Sequence, residues 1–152
     1  MSYEYAYAIL FQDDGSAILD FKKFPEIVCE ITKSDLQENA VKAIAFDAVK
    51  NALQARIDYD DVIPVPDRVG HGRSEYVVAL SGLDTLKLSL YEKFRSSNCS
   101  RAEFAKRAAV TPTGLSRLLD LSHASRFDVL TNVFDKVGYK VSTNIARKRA
   151  PG

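Results

Sequence analysis

SRAEFAKRAAVTPTGLSRLL, residues 100–119, is the stretch whose reading decides how the second half of this chain folds. Ser100-Arg101-Ala102-Glu103 is a capping box, a hydroxyl and a carboxylate three residues apart that satisfy the free N–H groups of a helix start. It opens a short helix through Phe104, Ala105 and Ala108 that stops near Ala109-Val110. Thr111 caps a new helix almost at once, and Pro112 suits its first turn, where an N–H would be unpaired anyway. Two short helices joined by so tight a turn describe a helix-turn-helix. Small Ala105 lets the two helices approach, while Phe104, Val110, Leu115 and Leu118 supply the apolar contacts between them. Thr113, Gly114, Ser116 and Arg117 are left outward on the second helix.

Those outward residues suit the major groove of DNA. Arg117 has the geometry to pair bidentately with guanine, Thr113 and Ser116 bond base edges or phosphates, and Gly114 permits close approach. The first turn, from Thr111, would do most of the reading. Arg101, Lys106, Arg107 and Arg126 are candidate phosphate contacts.

Working outward toward the C-terminus, Ser125-Arg126-Phe127-Asp128 starts a further helix that runs to Val137, with Gly138 as its C′ residue. Tyr139 to Ile145 reads as a short strand, and Arg147-Lys148-Arg149 heads a mobile basic tail over 147–152. On the N-terminal side, apolar residues at 83, 86, 90 and 94 mark a linker helix ended by Ser96-Ser97-Asn98. An all-α domain over 81–146 follows from these pieces.

Residues 1–80 read differently. Tyr3, Tyr5, Tyr7, Ile9 and Phe11 alternate with Glu4, Ala6, Ala8 and Leu10, which is the period of a strand whose aromatic face meets a core. Asp13-Asp14-Gly15-Ser16 supplies turn chemistry, and Ala17 to Lys22 follows as a second strand. After Pro25, Ile27 to Ile31 is a third, with Ile27, Cys29 and Ile31 on one side. Ser34 and Gln37 form another capping-box signature, and Leu36, Ala40, Val41, Ile44, Ala48, Val49, Ala52 and Ile57 recur at helical spacing. This long helix covers the sheet and ends near Tyr59, where Asp60-Asp61 oppose the helix dipole and Pro64 and Pro66 forbid continuation. A polar stretch with Gly70 and Gly72 leads to a fourth strand over Tyr76 to Leu80. The expected fold is α+β, a βββαβ domain followed by helices.

Composition narrows the function. The net charge of +1 conceals a split: residues 1–99 carry 11 Lys/Arg against 16 Asp/Glu, and residues 100–152 carry 10 against 4. The acidic half suits a basic partner and the basic half suits phosphates. With 46% hydrophobic residues the chain is not disordered. No apolar run reaches the roughly 18–20 residues of a membrane span, and the N-terminus lacks a signal-peptide pattern, so a cytoplasmic protein is expected. Cys29 and Cys99 occur without a CxxC and with only His71 and His123 as companions, which argues against a disulfide framework or a structural zinc site, and no cofactor is expected. His71 reads as a loop residue and His123 as a packing residue.

Taken together the motifs resemble a known family, the bacterial HicB antitoxins of the subgroup with a C-terminal helix-turn-helix of the Xre/lambda-repressor-like type. The likeness runs through Asp14-Gly15, Phe21-Lys22-Lys23-Phe24-Pro25-Glu26, Asn39-Ala40 and Ala43, Ile63-Pro64-Val65-Pro66, and Arg117-Leu118-Leu119-Asp120-Leu121-Ser122-His123-Ala124. It implies a partial RNase H-like N-terminal fold that binds and blocks HicA, a small basic toxin ribonuclease with a dsRNA-binding-like fold, while the second domain represses the shared operon. The chain departs from the family pattern in having Glu26-Ile27 where many relatives have Gly-Cys. It also has Ala109 where many helix-turn-helices have Gly, which requires a turn without positive φ at that position.

An enzymatic reading would need Asp13, Asp14 and Asp20 to converge on metal ions. Asp13 and Asp14 are ordinary turn residues, Asp20 sits on a strand, and no further acid completes a site, so no catalytic residue is expected. The other rival is a repressor that senses a small ligand through a pocket lined by Tyr3, Tyr5 and Tyr7, a row that more commonly forms core. The acidic half favours a basic protein partner instead, with Asp20, Glu26 and Glu30 as contacts. Because one helix-turn-helix buries too little to discriminate an operator, a homodimer or tetramer on double-stranded DNA is expected.

Overall fold

The alternation of Tyr3, Tyr5 and Tyr7 with smaller residues produces β1, Glu4–Phe11, in which Tyr5 and Tyr7 are buried, as is Tyr3 just before it. In this computed structural model, which describes residues 2–68 and 76–147, β1 pairs antiparallel with β2, Ala17–Asp20, on one side and with β4, Tyr76–Ala79, on the other. The third strand, β3, Cys29–Ile31, pairs antiparallel with β2, giving the order β3-β2-β1-β4. The βββαβ element order and the α+β class therefore match the reading of the sequence.

Helix α1, Glu38–Asp58, covers one sheet face with Val41, Ala45, Val49, Leu53 and Ile57, an unbroken i, i+4 row. It begins later than Ser34. Thr32, Ser34 and Asp35 are consumed by a 3-10 turn over Lys33–Asp35, in which the Thr32 hydroxyl donates to Asp35 at 3.0 Å, so the predicted capping box does not form and Gln37 is an N-cap without a side-chain bond. Two strands are also shorter than expected. After Asp20 the chain makes two successive turns, Phe24 N–H to Phe21 C=O and Ile27 N–H to Phe24 C=O, both at 3.0 Å. These turns drop Phe21 and Phe24 into the core against Tyr7 and Tyr5. At the far end of β1, Phe11 is 72% exposed rather than part of the core.

The other sheet face carries Ala8, Leu10, Ile18, Asp20 and Glu30, all exposed, and no described element lies across it. Along one margin of β1, where β2 has left, the Asp67 N–H donates to the Glu4 carbonyl and the Asp67 carboxylate accepts from the Ala6 N–H, at 2.8 and 2.9 Å. That segment contains Pro64 and Pro66, which have no N–H to extend a ladder.

Four helices complete the chain: α2, Gly82–Ser96; α3, Arg101–Arg107; α4, Pro112–Leu118; and α5, Phe127–Lys136. On α2 the buried residues are Asp84, Lys87, Leu88, Leu90, Tyr91 and Phe94. Leu90 and Phe94 of the expected 83/86/90/94 stripe are thus buried and Leu83 and Leu86 pack partly against the core, while the inward face also takes in Leu88, Tyr91 and two charged side chains. The Tyr91 hydroxyl donates to the Asp61 carbonyl at 2.5 Å and the Tyr3 hydroxyl to Glu92 at 2.7 Å, so α2 is bonded to the residue before β1 and to the turn after α1. Buried residues from both halves of the chain form one continuous core. Helix α5 begins at an Arg126 N-cap, with no cap bond from Ser125. Its end is a Schellman closure, with Gly138 at φ +96° and Tyr139 N–H on the Phe134 carbonyl at 2.8 Å. That closure turns the chain away, and residues 139–145 form no strand; Tyr139 instead lies under the Lys93 ammonium, 4.7 Å from its ring centroid. His71, Gly70, Gly72 and the tail beyond Arg147 lie outside the described residues.

Candidate nucleic-acid and partner-binding surfaces

The α3–α4 pair is built by its caps. The Ser100 hydroxyl accepts from the Glu103 N–H at 3.1 Å, and the Thr111 hydroxyl from the Gly114 N–H at 2.9 Å. Pro112 occupies the first turn of α4. Between the helices the chain closes as a second Schellman motif: Val110 N–H reaches the Ala105 carbonyl at 3.0 Å and Ala109 N–H the Lys106 carbonyl at 3.1 Å. That closure demands a left-handed residue, and Ala109 adopts φ +56°. The expected absence of positive φ there is thus overturned: backbone bonding and the burial of Phe104, Ala105, Leu115 and Leu118 override the crowding of an alanine Cβ.

The residues proposed from the sequence for DNA do not share one environment. Thr111, Thr113, Ser116, Arg117, Lys106 and Arg107 are exposed, and among the described residues Lys106, Arg107 and Arg117 form no salt bridge. Gly114 is half-buried and faces its own cap: a Cβ there would stand 3.1 Å from the Thr111 hydroxyl oxygen. Arg126 is exposed and paired with Asp128 at 2.8 Å. Arg101 turns away from the helix pair toward α1, donating to the Asp60 carboxylate at 2.7 and 2.9 Å and to the Ile57 carbonyl at 2.6 Å.

The three acids expected to meet a partner are likewise divided. Asp20 and Glu30 stand on the uncovered sheet face, where Asp20 pairs in register with Ala8, and Glu30 with Ile18, which in turn faces Leu10. This puts two carboxylates beside a small exposed apolar strip. Glu26 lies in the loop before β3 and is held by Arg56 of α1 at 2.8 and 2.9 Å. Arg56 also stacks over Phe24.

Tyr3 and Tyr5 are core residues with bonded hydroxyls, Tyr5 donating to the Pro64 carbonyl at 2.8 Å. Burial pushes both phenols well above the ordinary tyrosine value, and that of Tyr91 up to about 12. Asp14 is a turn residue: its carboxylate accepts from the Ser16 hydroxyl and N–H at 2.6 and 2.9 Å, which holds it below the ordinary carboxylate value. Among the described residues no group of three His, Cys, Asp or Glu side chains could hold a metal ion. No helix among them is long and apolar enough to cross a membrane.

Three joints went unread in the sequence. Gln54 of α1 accepts from the Leu121 N–H at 2.7 Å, Asp60 holds Arg101, and buried Lys87 meets the end of α4. The one available signal was Lys87, a charge flanked by Leu86 and Leu88 within an apolar helix.

No protein-family model matches the chain. It is similar to curated proteins named "Antitoxin HicB": one from Pseudomonas fluorescens, 28% identical over 94% of this chain and 94% of the relative, and two from Photorhabdus laumondii. Of these two, "Antitoxin HicB 1" is 26% identical over 82% of the chain and 77% of the relative, and "Antitoxin HicB 2" 27% identical over 91% and 94%. Likeness of this extent supports an antitoxin role.

Proposed function

We propose, from the premise that this chain is an antitoxin of the HicB family, that its sheet-bearing half (residues 1–80) binds and neutralises a small basic ribonuclease of the HicA type. Its second half (81–146) represses the shared operon through α3 and α4, acting as a helix-turn-helix. The observation that carries this reading is the pairing, in one chain, of an uncovered sheet face bearing Asp20 and Glu30 with a doubly capped helix pair that exposes Thr113, Ser116, Arg117, Lys106 and Arg107. A carboxylate-flanked apolar strip attracts and seats a cationic protein surface. An exposed Arg on a helix set into the groove presents two donors in the geometry of guanine O6 and N7.

Operator recognition needs two such helices about one helical turn of DNA apart, so the repressor acts as a homodimer or tetramer. It needs no cofactor and performs no catalysis. The test is to purify the chain from its native host under mild conditions and identify what co-purifies. A stoichiometric small basic protein whose ribonuclease activity appears only after separation is the expected result. A clean oligomer that binds its own promoter with no such companion would replace this reading with a repressor that answers to a small ligand.

A further inference from the structure

Lys87 of α2 is 0% exposed, yet its ammonium is fully used: Nζ donates to the carbonyls of Asp120 at 2.7 Å, His123 at 2.8 Å and Arg117 at 3.1 Å. Those three carbonyls line the end of α4 and the turn that follows it. A cation there also meets the negative end of the helix dipole. Burying an ammonium costs several kcal/mol unless its donors are all satisfied. An ordinary helix end is closed more cheaply by a glycine or by water.

The surroundings are equally committed. Asp84, one turn earlier on α2 and buried, pairs with Lys50 of α1 at 3.7 Å. The Asp120 carboxylate is occupied by the Ser122 hydroxyl and N–H at 2.7 and 2.9 Å, and the Leu121 N–H is held by Gln54 of α1. Thus the C-terminal end of α4, whose last turn carries Arg117, is fastened to two helices outside the α3–α4 pair.

We propose that Lys87 is a positioning residue for DNA recognition: by clamping the Arg117, Asp120 and His123 carbonyls it sets the angle at which α2 presents α4 to the groove. This rests on the helix-turn-helix reading above. Arg117 contributes both a clamped carbonyl and the outward guanidinium, so a small rotation at the clamp displaces the guanidinium from a base edge. Contacts to phosphates, made by long flexible side chains, tolerate the same rotation.

The experiment compares wild type with Lys87→Met, which keeps the stem and removes the ammonium, and with Lys87→Gln, which keeps two N–H donors. Each binds a duplex from the promoter of its own operon and a random duplex, at a temperature where circular dichroism shows the variant folded. Promoter affinity is expected to fall about tenfold or more in Lys87→Met, and random-duplex affinity by no more than about twofold. Adding Arg117→Ala to Lys87→Met should then cost nothing further, which a merely stabilising lysine would not produce. Lys87→Gln should lie between and decides the matter if Lys87→Met does not fold. An unchanged promoter-to-random ratio, or a full Arg117→Ala cost in the Lys87→Met background, overturns the proposal alone. A wild-type protein without promoter preference overturns the helix-turn-helix reading together with it.

Discussion

Arg101 and Asp60 form a joint between the two halves of the chain: the guanidinium grips the carboxylate at 2.7 and 2.9 Å and the Ile57 carbonyl at 2.6 Å, and Asp60 holds a left-handed backbone, φ +53°, to receive it. Arg95 donates to the carbonyl of the same residue. The Asp60 carboxylate, which opposes the α1 dipole, is thereby answered by an arginine of α3, and the Asp60 carbonyl by one of α2. Arg101→Ala is expected to lower the unfolding free energy by about 1–2 kcal/mol, discounted for partial exposure, in a denaturant titration. It should leave the salt slope of DNA binding nearly unchanged, since its donors serve the protein.

Arg107 and Arg117 should separate in the opposite sense. Arg107→Ala is expected to weaken binding to all duplexes similarly and to flatten the salt slope by about one unit, whereas Arg117→Ala costs about 1–3 kcal/mol on the operator and relaxes sequence preference. Salt-dependent binding measured on operator and random DNA checks both, and equal behaviour of the two variants would remove the division between phosphate and base contacts.

At Ala109 two effects compete. Relief of left-handed strain favours glycine by about 1–2 kcal/mol, while the greater freedom of glycine in the unfolded chain opposes it by about 0.4–1 kcal/mol. The strain wins, so Ala109→Gly should stabilise the protein by about 0.5–1 kcal/mol in chemical denaturation. A destabilised variant would mean that the turn between α3 and α4 is not left-handed.

Charge reversal should sort the acids by what they touch. Asp20→Lys with Glu30→Lys is expected to weaken partner binding on the order of tenfold or more at low salt, with melting temperature and operator affinity unchanged. Glu26→Lys breaks a pair with Arg56 and should cost up to about 1 kcal/mol of stability besides any loss of partner affinity. Titration calorimetry and thermal melts of the two variants give the answer, and full partner affinity in the double variant would take the sheet face out of the interface.

The Asp120 carboxylate accepts from Ser122, which holds it below the ordinary carboxylate value. A depressed folded value means that its stabilisation is present above the unfolded value, near pH 4, and is lost as pH falls through the lower folded value. Asp120→Asn should therefore flatten the acid limb of the stability curve below about pH 4, and an unaltered limb would assign the acid sensitivity to other carboxylates.

The sequence by itself determined the element order, the tyrosine face of β1, the caps at Ser100 and Thr111, and the end of α1 at Tyr59. These are local: strand alternation, cap chemistry and proline exclusion act within a few residues and need no partner from elsewhere in the chain. Tertiary structure alone decided the rest. Ala109 turns left-handed because the packing of α3 on α4 outweighs its own preference. Ser34 caps nothing in α1 because a 3-10 turn takes its neighbours, and the residues after Gly138 form no strand because a Schellman closure redirects them. Arg101, Glu26 and Lys87 are engaged by groups 41, 30 and at least 30 residues away. Such partners are chosen by where the folded backbone brings charges and carbonyls together, and spacing along the chain carries no trace of it.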